Sequence, residues 1–418
     1  MNEDFHFPSI NGARLIERHR DMARIGATGR GGVNRQALSL EDTQARQLLL
    51  GWTAARGYHA EIDPIGNLFV RRPGVNPNLS PVMTGSHLDT QPTGGNYDGI
   101  FGVLAALEVL ETLDDARLET SRSIELIVWM NEEGSRFSPT TMGSAVSAGS
   151  LPLDRVLDTV DAAGITVREA LNAQFKALSH VGRRALGLSG AAYIEAHIEQ
   201  GPILEHAGCT IGVVTAIQGI CCFEVEVIGF EAHAGTTPSR NRKDALVAAM
   251  TIVHRLRTKL HDASDTLRFT VGRFEVAPGS PNTVPGRVAF TIDLRHPDIE
   301  YLLRCCEIIN ALCSGSIASC DVTCRLLLQS EPIRFSRPIL EQIRSSARRR
   351  EASHMDMISG ATHDSRYASL MMPAGMVFIP CEKGISHNEA ENVASDDLVS
   401  GGQVLSDTVI ALARSDSI

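Results

Sequence analysis

The densest group of metal-ligating residue types in the chain is GSHLDTQPTGGNYDG, residues 85–99. His87 and Asp89 stand two apart, and Asp98 follows eleven positions after His87 among Gly94, Gly95 and Gly99. Imidazole and carboxylate together suit zinc and similar divalent ions, and glycines let main chain pass close to a bound centre. Taken alone, H-x-D reads more readily as a loop cap than as part of a metal site. A second apolar run, IELIVWM, leads straight into Asn131, Glu132, Glu133 and Gly134. Two adjacent acids at the mouth of an apolar strand raise each other's pKa unless something neutralises them. A cation on one would remove that cost and leave the other free as a general base. By itself the pair reads more readily as an exposed acidic turn, and its place straight after the His87 and Asp98 loop removes that advantage.

Two further histidines stand in similar settings. In YIEAHIEQGP, strand-like alternation puts Ile194, Ala196 and Ile198 on one face and Glu195, His197 and Glu199 on the other. His387 lies in CEKGISHNEAEN, after the apolar strand GMVFIP. Most single histidines are core or surface residues, and His6, His19, His59, His180, His206, His254 and His261 read that way. Farther along, His233 sits in EAHAGTTP, where an imidazole could donate to a tetrahedral oxyanion. Asn282 lies in GSPNTVPG and Arg295 in TIDLRHP. Arginine offers a planar fork matched to a carboxylate, although Arg295 alone reads more readily as a solvated strand-end cation.

The elements that must position these residues alternate. Residues 40–56 predict a helix opened by Ser39, with Asp42 three residues on in a capping-box pattern. Strand-type runs follow at 66–71, 81–85 and 124–130, with a helix at 99–113 between the last two. Such alternation predicts an α/β layer with a largely parallel sheet, whose strand ends are the usual ligand position. From about 215 to 330 the order becomes β-α-β-β-α-β, the ferredoxin-like unit, which can fold as its own domain. After 330 the alternation resumes with a helix at 338–350, the strand AGMVFIPC and a last helix opened by Ser395, Asp396 and Asp397. The expected organisation is a catalytic domain in two parts, 1–214 and 331–418, interrupted by an inserted domain at 215–330.

Composition bounds the partners. At 418 residues the chain is long for one core. A net charge of −10 argues against nucleic acid, which needs a basic surface. Nine cysteines without a C-x-x-C are expected as reduced thiols. The acidic start MNEDFHFPSI has no apolar core, and no apolar run reaches the roughly 18 residues of a membrane helix. A cytoplasmic protein with no membrane partner is expected.

On the blocks GSHLDT, GGNYDGIFGVLA, NEEGSRF, EAHIEQGP, HAGTTP, PNTVPG, DLRHPD, SGATHDS and GISHNEAE, nearly the whole chain resembles the amidohydrolases of the peptidase M20 superfamily. More narrowly, it resembles the branch of N-carbamoyl-L-amino-acid hydrolases, allantoate amidohydrolases and β-ureidopropionases. The resemblance implies two divalent metal ions per chain, zinc first, with manganese, cobalt or nickel able to substitute. It implies a bridging carboxylate at Asp98, one metal on His87 and His197, and its neighbour on Glu133 and His387. Glu132 would be the general base, and Asp89 would hold the His87 ring. His233 and Asn282 would contact the scissile amide, while Arg295 and Gln200 would hold the substrate carboxylate. The inserted domain would act as a lid and pair two chains into a homodimer, with His233 serving the opposite chain.

The implied reaction is hydrolysis of an N-carbamoyl (ureido) L-amino acid to the amino acid, carbon dioxide and ammonia. Allantoate is the alternative substrate. A dipeptidase or aminoacylase is disfavoured by His197, where related peptidases commonly carry an acid. A metal-binding scaffold without catalysis would be marked by loss of Glu132 or a ligand, and all are present. The chain departs from the family pattern at Ser239-Arg240, where relatives usually carry methionine first, at Thr362, where glycine is common, and at Glu389, where proline is frequent.

Overall fold

Four apolar runs, Val82–His87, Ile124–Trp129, Ala192–Ile198 and Ala374–Ile379, are buried along their whole length in the computed structural model, which describes residues 5–417. They pair in parallel in the order Ala374–Ile379, Ala192–Ile198, Val82–His87, Ile124–Trp129. Continuous burial explains why they read as unbroken hydrophobic stretches rather than alternating ones. Ile211–Ile217 extends this core antiparallel on one side, and Leu68–Arg72 with His59–Ile62 on the other. The result is a mixed sheet with a parallel centre, as the alternation predicts. Strand bounds shift by a few residues from those expected: 66–71 becomes Leu68–Arg72, 81–85 becomes Val82–His87 and 124–130 becomes Ile124–Trp129. Part of the segment MNEDFHFPSI, residues 1–4, lies outside the described residues. Among the described residues no helix is long and apolar enough to cross a membrane.

Two helix starts differ from expectation. Ser39 does accept from the Asp42 N–H at 3.1 Å, but the Asp42 carboxylate turns to the Leu38 N–H at 3.0 Å instead of closing a reciprocal box on Ser39. Aspartate is one methylene shorter than the usual box partner, and Arg46 and Gln174 draw the same carboxylate. The last helix, Ser395–Ala413, is preceded by Ala394 with no side-chain cap; Ser395, Asp396 and Asp397 form its first turn instead. Acids there still face the positive end of the helix dipole.

The chain divides into two compact units, one running to Thr215 and resuming at Phe335, the other spanning Ala216–Arg334. The second unit holds an antiparallel sheet in which Arg268–Ala277, Arg287–His296, Gly219–Ile228 and Cys320–Ser330 lie side by side. Helices Ala245–Lys259 and Ile299–Leu312 complete the β-α-β-β-α-β order. Strand residues Phe223, Val225, Phe290 and Ile292 share one core with Ile252, Leu256 and Ile309 of the helices. Removing the fully buried Phe290 ring would cost roughly 3–5 kcal/mol.

Candidate metal centre

Parallel pairing brings the carboxyl ends of the four central strands to one edge, and most of the expected ligands stand there. His87 is the last residue of its strand, and Glu132 and Glu133 follow Trp129 closely. His197 is next to last in its strand, paired with Phe378 of the strand that precedes His387. Gly99, at φ +71°, carries Asp98 round into the helix Ile100–Asp115; a Cβ there would fall 2.4 Å from the His87 ring.

Two groups of possible metal ligands share Asp98: His87, Asp98 and His197, and Asp98, Glu133 and His387. His87 Nε2 lies 3.7 Å and His197 Nε2 3.2 Å from Asp98 Oδ1, while His387 Nε2 lies 3.3 Å from both Asp98 Oδ2 and Glu133 Oε2. The Nδ1 atom of His87 meets the Asp89 carbonyl oxygen at 2.9 Å, and that of His197 meets the Ile198 carbonyl oxygen at 2.9 Å. A carbonyl only accepts, so each Nδ1 carries a proton. Both Nε2 atoms are buried without a hydrogen-bond partner. Two imidazole Nε2 atoms converge on acid oxygens, on Asp98 from both rings and on Glu132 Oε2 at 3.5 Å from His87, an arrangement that a cation between them would satisfy. The donor set therefore fits divalent metal.

The electrostatics agree. Burial opposes the charged form of His197, but the adjoining Asp98 carboxylate outweighs it and holds the imidazole up at about 9. For His87 burial dominates and lowers it to about 4. Burial, then the charge of Asp98, pushes Glu133 up to about 8. Burial, then the carboxylates of Asp364, Glu133, Asp89 and Asp98, holds Glu132 well above the usual range. Added positive charge would relieve this crowding.

Asp89 reaches the His87 ring through its main-chain carbonyl; its carboxylate stands 3.8 Å from Nδ1 and accepts the N–H groups of Glu132 at 3.2 Å and Glu133 at 3.1 Å. It thus fixes both acids. The Gln200 amide donates to Asp98 Oδ2 at 2.7 Å. Asn131, Gln200 and His387 all have φ between 53° and 59°, strained backbone that clusters at functional sites.

The second unit holds the other expected residues. A two-strand ladder sets His233 opposite Thr283, beside Asn282. His233 Nδ1 accepts the N–H groups of Gly235 at 3.1 Å and Thr236 at 3.2 Å, which leaves Nε2 to carry the proton of the neutral ring. Asn282 Oδ1 accepts from Ser280 Oγ at 2.8 Å. The Arg295 fork closes on Asp293, with Nε to Oδ1 at 2.8 Å and Nη2 to Oδ2 at 3.1 Å.

Sequence reasoning missed His363 and Asp364. The His363 ring is buried 4.5 Å from that of His197, and Glu195, His197 and His363 form a third group with ligand chemistry. Asp364 accepts from Ser144 and is the charge nearest in effect to Glu132. The signal was there in SGATHDS, a histidine and an acid adjacent after a strand, His354–Ser359.

Comparison with known proteins places the chain. The profile of peptidase family M20/M25/M40 matches residues 83–411. The N-carbamoyl-L-amino-acid amidohydrolase of Rhizobium meliloti is 36% identical over 410 residues, 97% of each chain. The allantoate amidohydrolase of Escherichia coli is 34% identical, covering 94% of this chain and 96% of that one. A crystal structure from Burkholderia multivorans, described as an amidase of the hydantoinase/carbamoylase family, superposes with a TM-score of 0.89 at 38% identity, covering 98% of this chain and 99% of its own.

Proposed function

The chain belongs to peptidase family M20/M25/M40, and on that premise we propose that it hydrolyses the ureido C–N bond of an N-carbamoyl L-amino acid, using two divalent ions, zinc first. The observation that carries the reading is the pair of unpartnered Nε2 atoms, of His87 and His197, facing Asp98. Asp98 would be shared, with His87 and His197 on one ion and Glu133 and His387 on the other. When bound, the ions acidify a water and neutralise charge developing on the carbonyl oxygen. Glu132 takes the proton from the attacking water and returns it to the leaving nitrogen. Asp89 orients both glutamates through their N–H groups.

His233, protonated on Nε2, donates to the developing oxyanion beside Asn282. Arg295 and Gln200 take the substrate carboxylate, for which Arg295 must exchange its Asp293 partner. The inserted unit acts as lid and as the pairing surface of a homodimer in the cytoplasm, without a nucleic-acid or membrane partner. The substrate class rests on the relatives' names, which share a ureido acid.

The test is ammonia release from several N-carbamoyl L-amino acids, from allantoate and from a dipeptide control. Turnover of the N-carbamoyl acids with an inert dipeptide is expected. Faster turnover of allantoate would move the substrate to that alternative, and dipeptide cleavage alone would overturn the reading.

A further inference from the structure

Glu391, four positions beyond His387, has no role in the chemistry above, yet it is 4% exposed and carries four short contacts. Its Oε1 accepts the N–H groups of Tyr97 at 2.9 Å and Asp98 at 3.1 Å. Its Oε2 lies 3.0 Å from Ser386 Oγ, which is also 3.0 Å from Asp98 Oδ2, so one hydroxyl proton is shared between the two acids. Its own N–H donates to the Asn388 carbonyl at 3.0 Å. A single carboxylate thus ties the loop that carries Asp98 to the loop that carries His387.

The neighbouring sequence makes room for that tie. A Cβ at Gly95 would fall 2.1 Å from the Glu391 carboxylate, so only glycine lets it reach the Tyr97 and Asp98 amides. His387 itself sits at φ 53°, a conformation a non-glycine residue keeps only when its surroundings hold it. Glu389, in the same loop, is anchored by Thr28 Oγ1 at 2.6 Å and by Arg30 Nε at 2.6 Å.

We propose that Glu391 is a positioning residue that sets Asp98 and His387 at the spacing a metal ion requires, and so governs metal affinity without touching the ion. The inference rests on the metal reading of Asp98 and His387. Hydrogen-bonded positioning must be separated from simple negative charge near a cation. Glu391→Gln does this: its amide oxygen still accepts from Tyr97 and Asp98 and its amide donates to Ser386, but the charge is gone.

The experiment is competition of the full chain against a chromophoric chelator for Zn2+, with thermal melts of the metal-free proteins as a folding control. Glu391→Ala should bind zinc roughly 10–100-fold more weakly, the usual cost of losing a group that orients a ligand. Gly95→Ala should reproduce that loss, and Glu391→Gln should stay near wild type. If Glu391→Ala does not fold, Glu391→Asp carries the test, because it keeps the charge but withdraws the oxygens by one methylene. Affinity unchanged in Glu391→Ala or Glu391→Asp would overturn the proposal, as would Glu391→Gln binding as weakly as Glu391→Ala. Wild-type chain that binds no zinc would instead overturn the metal reading on which it stands.

Discussion

His197 points Nε2 at Asp98 Oδ1 from 3.2 Å while its Nδ1–H is taken by the Ile198 carbonyl, which leaves Nε2 as the atom that would meet a cation. His87 repeats the arrangement through the Asp89 carbonyl. Purified chain should therefore hold about two divalent ions, counted by elemental analysis, and chelation should abolish turnover. Metal-stripped protein with full activity would exclude the mechanism.

Glu132 and Glu133 are adjacent in sequence and both anchored to Asp89, yet only Glu133 reaches His387, at 3.3 Å. Glu132→Gln should lower kcat by roughly 10² or more with metal content intact, because it removes the base and keeps the shape. Glu133→Gln should loosen one ion. Equal metal loss in both variants, with normal rates per bound ion, would refute this division.

The two loop N–H groups on His233 Nδ1 specify the tautomer of the neutral ring. Nitrogen-15 spectra of the labelled protein should show Nε2 protonated. His233→Ala should lower kcat by roughly 10²–10³ without changing metal content, the usual cost of removing an oxyanion donor. A neutral ring protonated on Nδ1 would contradict the donor role.

If the protein is a homodimer in which His233 serves the opposite chain, mixing inactive His233→Ala with inactive Glu132→Gln should restore activity. Some mixed dimers would then contain one intact site. Silence from heterodimers shown to form would place His233 in its own chain's site or outside catalysis.

His19, outside the ligand set but packed against Tyr97 beside Asp98, supplies a pH test. It is buried, its Nε2 has no partner, and burial lowers it from 6.5 to about 4. Below pH 6.5 the unfolded chain binds a proton that the folded ring refuses until about pH 4, so stability is full above 6.5 and lost as pH falls through this window. The shift corresponds to about 3 kcal/mol at most. Denaturant titrations of metal-free wild type and His19→Phe should converge or cross between pH 6.5 and 4, with the variant losing less. Parallel losses would show that His19 carries no such coupling.

Much of the site was legible because its signals are local. An apolar run ending in His87, another ending in Glu132-Glu133 and a third before His387 each state a residue type and the strand end that presents it. The β-α-β-β-α-β order could likewise be read from periodicity, since side-chain alternation and helical spacing are properties of short segments. What tertiary structure alone decided is proximity. Parallel strand order, which spacing does not encode, sets His197 against His363 and lets Glu391 reach across nearly three hundred residues to Asp98. It also decided which atom acts: Asp89 holds His87 by its carbonyl and the two glutamates by its carboxylate, and Arg295 is engaged by Asp293. A residue's type is written in the chain, but the hydrogen-bond partners it finds depend on which backbone groups packing brings within about 3 Å of it.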